Sequence, residues 1–344
     1  MRLSVIVPVL NGGEDLRRCL QALVASLRVP DEIIVVDDGS TDGSQATAAS
    51  YGVRVLATSA GPRGPAHARN RGAAVATGDV LAFIDADVVV HADALARMES
   101  IFAAEPEVAA LFGSYDEDPP AHGLASRYKN LQHHYVHQHG NREAVTFWAG
   151  CGAVRRAVFL AAGGFDDSYH RPSIEDIELG MRLRRAGHRI RLCPEVQVTH
   201  LKRWSLSSLW RTDICARALP WTRLILRQGH VPSDLNLDWR SRLSALAAWM
   251  LVGFVPLWLG FRVAGAGVWA GWSGVALVAS WALVAVLNAD LYLFFLRRGG
   301  IVFASGAALL HFVYLLYSSA VFVGLFAQHK LQSIVRPSRD QKIR

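Results

Sequence analysis

The chain has 344 residues, with 36 Lys and Arg against 29 Asp and Glu, a formal net charge of +7 before any His is counted. That length excludes a peptide hormone or a small disulfide scaffold, and 51% hydrophobic with only 19% charged residues is too apolar for a disordered chain and high for a purely soluble one. Four cysteines, Cys19, Cys151, Cys193 and Cys215, lie far apart without a C-x-x-C pair, so neither a zinc framework nor a disulfide lattice is expected and a reducing, cytosolic setting fits.

The opening stretch holds an apolar run of only a few residues with no small-residue cleavage site behind it, which reads as a first strand and not a signal peptide. From there to about residue 240, short Val- and Ile-rich runs alternate with amphipathic stretches, the pattern of βα units around a largely parallel sheet. Strands are predicted at Leu3 to Val9, Glu32 to Val36, Val53 to Ala57 and Val80 to Ile84, and helices at Glu14 to Ser26, Gly43 to Tyr51 and Pro65 to Ala76, each bounded by Gly, Pro, Ser or Asp. Farther on, an amphipathic stretch over Ile177 to Ala186 closes at Gly187, with Ser173 predicted as its N-cap and Asp176 as its capping-box partner.

Over 203–240, Trp204, Leu206, Leu209, Trp210, Ile214, Trp221, Leu224 and Ile225 recur at near-helical spacing, with Lys202, Arg203, Arg211, Arg217, Arg223 and Arg227 intervening. Two readings fit: helices lying flat on an anionic leaflet with a break at Pro220, or ordinary amphipathic packing helices. After Arg242 the composition shifts abruptly. Leu243 to Phe261, Val263 to Ala289 and Ile301 to Gln328 carry no charge, and each is long enough to cross a hydrocarbon layer of ~30 Å. Six of the ten Trp lie at or beyond Trp239, as interfacial belts predict. About three spans are expected over 241–329, followed by a basic tail over 330–344 carrying Lys330, Arg336, Arg339, Lys342 and Arg344. If the front domain is cytosolic, Arg297 and Arg298 fall inside, as the positive-inside rule prefers, and the tail falls outside, which it does not; Pro256 leaves a re-entrant first segment open.

Carboxylates recur at predicted strand ends. The first strand ends in Pro8-Val-Leu10-Asn11 and the second in Asp37-Asp38-Gly-Ser-Thr-Asp42, where parallel α/β sheets hold ligands such as a base or ribose; turn and N-cap chemistry is the other reading. No G-x-G-x-x-G follows the first strand, which argues against a dinucleotide-binding dehydrogenase. Asp85 and Asp87 stand two apart at the end of an apolar strand, so both are expected on one face, sharing a divalent cation, Mg2+ or Mn2+, that bridges two phosphates. Arg69 or Arg71 can add a fixed guanidinium there. Asp176, at a helix N-terminus that keeps it ionised, is a candidate general base. His133 and His137 would share a helix face beside His134 and His139; a metal role competes with an acceptor-side helix, and no nearby Cys or clear carboxylate completes a site.

The order of these motifs resembles the family 2 glycosyltransferases of GT-A fold, over about Ser4 to Trp204. The resemblance implies a Rossmann-like, mostly parallel α/β catalytic domain over 1–202, followed by interfacial helices and a C-terminal transmembrane helical segment. It implies that Pro8, Leu10 and Asp38 border the uridine or other nucleoside, with Asn11, Asp37, Arg69 and Asp85 on the same donor side, and that Asp85 and Asp87 form the metal and diphosphate motif. Gly150-Cys151-Gly152 after Phe147-Trp148 looks like the glycine-rich acceptor loop and Gly163-Gly-Phe-Asp166 like the turn after it. Glu175-Asp176 looks like the acidic pair holding the catalytic base, and His200 like the late histidine that reaches the metal. Arg203-Trp204, placed on the acceptor side, resembles the end of the Q-x-x-R-W motif of processive polysaccharide synthases, but His200 stands where that motif has Gln.

The expectation is therefore a metal-dependent, inverting glycosyltransferase anchored in the cell (inner) membrane by several spans, with its catalytic domain cytoplasmic. Its donor would be a nucleotide sugar such as a UDP-sugar, and its acceptor a hydroxyl on a lipid or lipid-linked glycan. A polyprenyl-phosphate glycosyltransferase, whose anionic acceptor needs no base, and a non-catalytic membrane scaffold retaining nucleotide binding are the alternatives. Nucleic acid is not expected as a partner, because the basic residues gather near the apolar spans and not along an aromatic-studded groove.

Overall fold

The computed structural model describes residues 1–58, 61–229 and 238–335, in two compact units, Met1–Ser205 and Leu206–Arg344.

The first unit is built on an eight-stranded sheet: β1 (Leu3–Val9), β2 (Glu32–Asp37), β3 (Arg54–Ala57), β4 (Val80–Ile84), β5 (Val88–Val90), β6 (Val108–Tyr115), β7 (Cys151–Arg155) and β8 (Arg189–His200), in the order β3-β2-β1-β4-β7-β6-β8-β5. β1, β2, β3 and β4 run parallel, as do β6 and β8, whereas β7 is antiparallel to both β4 and β6, and β5 is antiparallel to β8. The sheet is thus mixed, with the parallel half on the side that the first βα units build. β1 is buried at every position because both sheet faces are covered: Leu3, Val5, Val7 and Val9 enter one core with Leu16, Leu20 and Leu23, while Ile6 enters the other with Leu81, Phe83 and Leu179.

Helices α1 (Gly13–Val24), α2 (Ser44–Ser50), α3 (Pro65–Val75), α4 (Ala94–Ala104), α5 (Leu124–His139), α6 (Arg156–Ala161) and α7 (Glu175–Arg185) complete this unit. α3 presents Ala66, Ala68, Gly72 and Ala73 to the sheet. A Cβ on Gly72 would stand 2.6 Å from Ile6 Cγ2, so the helix lies closer than a larger residue would permit, and Arg69 is drawn into the interior with it. α7 begins at Glu175 with Ile174 flanking it and no side-chain cap bond. Ile174, and not the predicted Ser173, thus occupies the capping position, and the Ser173 N–H donates to Glu175 Oε2 at 2.9 Å.

The second unit starts with α8 (Leu206–Arg211), a π-helical segment (Thr212–Ala218) and α9 (Leu219–Gln228). Pro220 does not break this helix. Its missing N–H falls in the first turn of α9, directly after the wider π-helical turns. Leu209 and Ile225 are buried, with α9 packed against α12, while Arg211, Arg223 and Arg227 are exposed. α10 (Trp239–Val263) continues through Pro256, α11 (Gly267–Leu287) follows, and α12 (Ala289–Val335) is interrupted at Gly300, whose φ is 70°. Arg297 and Arg298 therefore sit on helix before that break and not in a loop. All three helices are long and apolar enough to cross a membrane, and Trp269, Trp272 and Trp281 are more than 60% exposed, as lipid-facing side chains would be. Positions 230–237 of the predicted interfacial stretch and 336–344 of the predicted tail lie outside the described residues.

Candidate active site

The carboxyl ends of β1, β2 and β4 meet where the chain turns back into helices. Asn11, with φ at 55°, joins the first two: its N–H donates to Ser40 Oγ at 2.8 Å, and its Oδ1 accepts from the Thr41 N–H at 2.8 Å. Asp37 is fully buried, accepting from the Ser40 N–H at 3.0 Å and Gln45 Nε2 at 2.5 Å, so it organises this turn. Asp38 accepts from the Arg63 and Gly64 N–H groups, the latter at 2.7 Å, and pins the segment that enters α3. Pro8 is likewise buried within β1, whereas Leu10 projects at 48% exposure.

The two aspartates after β4 go separate ways. Strand geometry stops at Ile84, so the period-two argument that would place Asp85 and Asp87 on one face does not apply. Asp85 Oδ1 accepts from Arg69 Nη2 at 2.7 Å, and Arg69 Nη1 donates to Glu175 Oε1 at 2.9 Å. Arg69 is buried, with Phe165 packed on its guanidinium at 5.5 Å. It is therefore a bridge between the β4 tip and the start of α7, not a free guanidinium for diphosphate. Burial works against the Arg69 charge, but Asp85, Glu175 and Asp176 outweigh it and hold the group protonated. Burial, with the charges of Asp87 and Glu175, lifts the Asp85 carboxyl above its ordinary value despite Arg69.

Asp87 meets a different partner, its Oδ2 lying 3.6 Å from His200 Nε2. Burial acts upward on Asp87, but the His200 contact and charge, with that of Lys202, carry it below its ordinary value. His200 Nδ1 lies 2.6 Å from Asn130 Oδ1, and the ring stacks on Tyr115 at 4.3 Å with 7° between planes. One carboxylate and one imidazole nitrogen are a chemically suitable donor pair for Mg2+ or Mn2+. Among the described residues no group of three or more His, Cys, Asp or Glu gathers as a metal site, so the predicted trio of Asp85, Asp87 and His200 reduces to the last two. The helical histidines form a ring cluster: His133 lies 4.2 Å from His137 and 5.1 Å from Trp148, and His137 Nδ1 is 3.0 Å from the Gly113 carbonyl.

Of the acidic pair, Glu175 is buried, with one oxygen on Arg69 and the second on the Ser173 N–H. Asp176 is only partly buried; its Oδ2 accepts from the Ala149 N–H at 3.1 Å and its Oδ1 from the Ile177 N–H at 2.8 Å. α7 can come this near because Gly180 lies against Phe147, where a Cβ would sit 2.2 Å from the Phe147 nitrogen. Trp148 lies over Gly150, where a Cβ would meet its ring at 2.6 Å, and the Gly150 carbonyl accepts from the Asp85 N–H at 3.2 Å. Gly152 and Cys151 belong to β7 and the core; Cys151 is fully buried, and burial pushes its thiol up, which removes it from the acceptor surface. Trp204 is also buried, its N–H donating to Ser126 Oγ at 2.7 Å, while Arg203 is exposed. Asn130 and Tyr115 were not singled out by the sequence. An Asn inside a helix, where its propensity is poor, is the one signal that points to the former.

The family model described as glycosyl transferase family 2 matches residues 4–161. Residues 4–161 thus carry a family 2 glycosyltransferase domain. The chain is 34% identical over 214 residues to the pre-mycofactocin glycosyltransferase of Mycobacterium tuberculosis, covering 59% of this chain and 43% of that protein. It is 28% identical over 267 residues to glycosyltransferase AglE of Haloferax volcanii, covering 74% of this chain and 81% of that protein. Curated relatives above 30% identity are matched over only 27–43% of their own length. A solved mannosyltransferase from Pyrobaculum calidifontis, in complex with GDP-Man and Mn2+, superposes with a TM-score of 0.58 at 20% identity, covering 94% of this chain and 87% of that one. The family 2 domain of this chain thus has a GT-A fold, and helices apolar enough for a membrane follow it.

Proposed function

We propose that this chain transfers a sugar from a nucleotide sugar, such as a UDP-sugar, to a hydroxyl of a lipid or lipid-linked glycan, inverting the anomeric carbon. The acceptor oxygen attacks that carbon, the carbon–phosphate-oxygen bond breaks, and the hydroxyl proton passes to Asp176. The observation that carries this reading is the arrangement of Asp176: partly open and oriented by the Ala149 N–H at 3.1 Å, on a helix tied through Glu175 and Arg69 to the strand tip that presents Asp85. Asp38 and Asn11 would shape the nucleoside side, and Leu10 its rim. Asp87 and His200 would hold Mg2+ or Mn2+; when bound, that ion offsets charge gathering on the departing diphosphate. The Mn2+ and GDP-Man of the structurally similar mannosyltransferase support the metal and the donor class.

The division of labour follows the chain: 1–202 catalytic, 203–240 along the bilayer surface, 241–329 across it and 330–344 a basic tail. The catalytic domain would then work on the cytoplasmic side of the cell membrane. The exposed Arg211, Arg223 and Arg227 of the second unit supply positive charge toward an anionic lipid surface.

A panel of nucleotide sugars with purified protein, scored for Mn2+-dependent nucleotide diphosphate release and transfer to a lipid-linked hydroxyl acceptor, tests this. One donor should turn over and Asp176→Asn should lose at least about 100-fold in rate, the lower range for a general base. Near-normal transfer by Asp176→Asn removes the base assignment, and if polyprenyl phosphate is then the acceptor used, the polyprenyl-phosphate reading replaces this one. No metal-dependent turnover with any donor points to a binding scaffold.

A further inference from the structure

Asn130 sits on α5, 1% exposed, with its side-chain oxygen 2.6 Å from His200 Nδ1. A carbonyl oxygen only accepts hydrogen bonds, so this contact requires the imidazole proton on Nδ1. Nε2 is then the ring nitrogen left to bind a metal, and it is this nitrogen that lies 3.6 Å from Asp87 Oδ2. At that separation the two atoms are beyond ordinary hydrogen-bond distance. They are placed as two ligands are when a third, electron-poor atom lies between them.

The surroundings are built to keep that ring where it is. Tyr115 stacks on it at 4.3 Å. Asp87 is held by its own backbone, because its carbonyl accepts from the Leu201 N–H at 2.8 Å, and Val88 pairs with His200 in the β5–β8 ladder. Asn130 Nδ2, by contrast, is buried with no hydrogen-bond partner among the described residues. A buried amide N–H without a partner is costly, so the side chain is not there for the stability of the helix. Its oxygen is the useful end.

We infer that Asn130 is a positioning residue that fixes His200 in the Nδ1–H tautomer, leaving Nε2 to pair with Asp87 as a two-atom ligand for a divalent cation. This rests on the metal reading of Asp87 and His200 proposed above. Outer-shell partners that fix a ligating imidazole change metal affinity by about 10–100-fold when removed.

Two readouts separate this inference from the reading beneath it. In metal-free, 15N-histidine-labelled full-length protein, His200 is assigned by its loss in His200→Gln, and its tautomer is read from two-bond nitrogen–proton correlations. The wild type and Asn130→Asp, which keeps the acceptor oxygen, should show Nδ1–H; Asn130→Leu, which removes it, should lose that preference. Mn2+ binding, measured by electron paramagnetic resonance, should weaken by about 10–100-fold in Asn130→Leu and stay within about three-fold in Asn130→Asp. Wild-type protein that binds Mn2+ with the proton on Nε2 overturns the inference, as does Asn130→Leu binding Mn2+ like the wild type. Wild-type protein with the Nδ1–H tautomer and no Mn2+ binding overturns the metal reading, and with it the ligand role given to the fixed ring. The wild-type spectrum decides the tautomer even if Asn130→Leu fails to fold.

Discussion

Replacing Arg69 by Met should unfold the front domain far more readily than its single-residue size suggests. The guanidinium neutralises Glu175 at 2.9 Å and Asp85 at 2.7 Å, and Met leaves both carboxylates without their partner. The side chains differ in how much water can help: Glu175 is 5% exposed and Asp85 33%, so the Glu175 contact carries most of the penalty. Removing one partner of a buried pair costs about 3–5 kcal/mol. For a domain of this size each kcal/mol moves the melting midpoint by about 2–4 °C, so a fall of about 6–20 °C is expected. The assay uses Cys19, Cys151 and Cys193, all buried in the first unit, as reporters: on a Cys215→Ser background, a thiol-reactive fluorophore reads only their exposure on heating. Arg69→Met with Glu175→Gln should recover at least half of the loss, because it removes the stranded charge. Arg69→Lys should recover little, since one ammonium cannot serve two carboxylates as a planar fork does. If Arg69→Met melts within about 2 °C of the wild type, the bridge is not what holds α7 to the β4 tip.

Other consequences are as direct. Glu32 accepts from Ser4 Oγ and the Thr77 N–H, both at 2.6 Å; burial acts upward on it, but these bonds bring its carboxyl below the ordinary value of 4.5. Its stabilisation is therefore present above the unfolded value and lost as pH falls through the folded one. Glu32→Gln should cost about 1–3 kcal/mol at pH 7, with the gap to the wild type closing in acid in chemical denaturation; a gap constant with pH contradicts the assignment. Gly150→Ala must displace the Trp148 ring that its Cβ would meet at 2.6 Å, whereas Gly253 has open space around it. The first substitution should cost about 1–3 kcal/mol in the thiol-exposure melt and the second almost nothing. In native protein, iodoacetamide should label Cys215 alone, read by peptide mass mapping, because it is the exposed thiol and burial raises the pKa of the other three.

What the sequence discloses and what it hides divides along a physical line. Periodicity and strand-end carboxylates locate β1, β2 and β4 and the acidic tips after them, because buried parallel strands must be apolar runs and their carboxyl ends must turn. The uncharged runs after Arg242 disclose α10 to α12 for the same reason, since length without charge has few other uses. Direction of a side chain is another matter. Asp85 and Asp87 read as a shared pair only if the strand continues, and it ends at Ile84, so one carboxylate meets Arg69 and the other His200. Arg69 reads as a diphosphate ligand because nothing local shows that Gly72 lets α3 sink onto Ile6, burying the guanidinium between carboxylates 16 and 106 positions away in the chain. Glu175 and Asp176 are adjacent and chemically alike, yet a helix start points one inward to Arg69 and leaves the other partly open beside Ala149. Local composition specifies which residue types arrive at the site. Which of them face a substrate is decided by tertiary packing, and here small residues at Gly72, Gly150 and Gly180 decide it by setting how closely the elements approach.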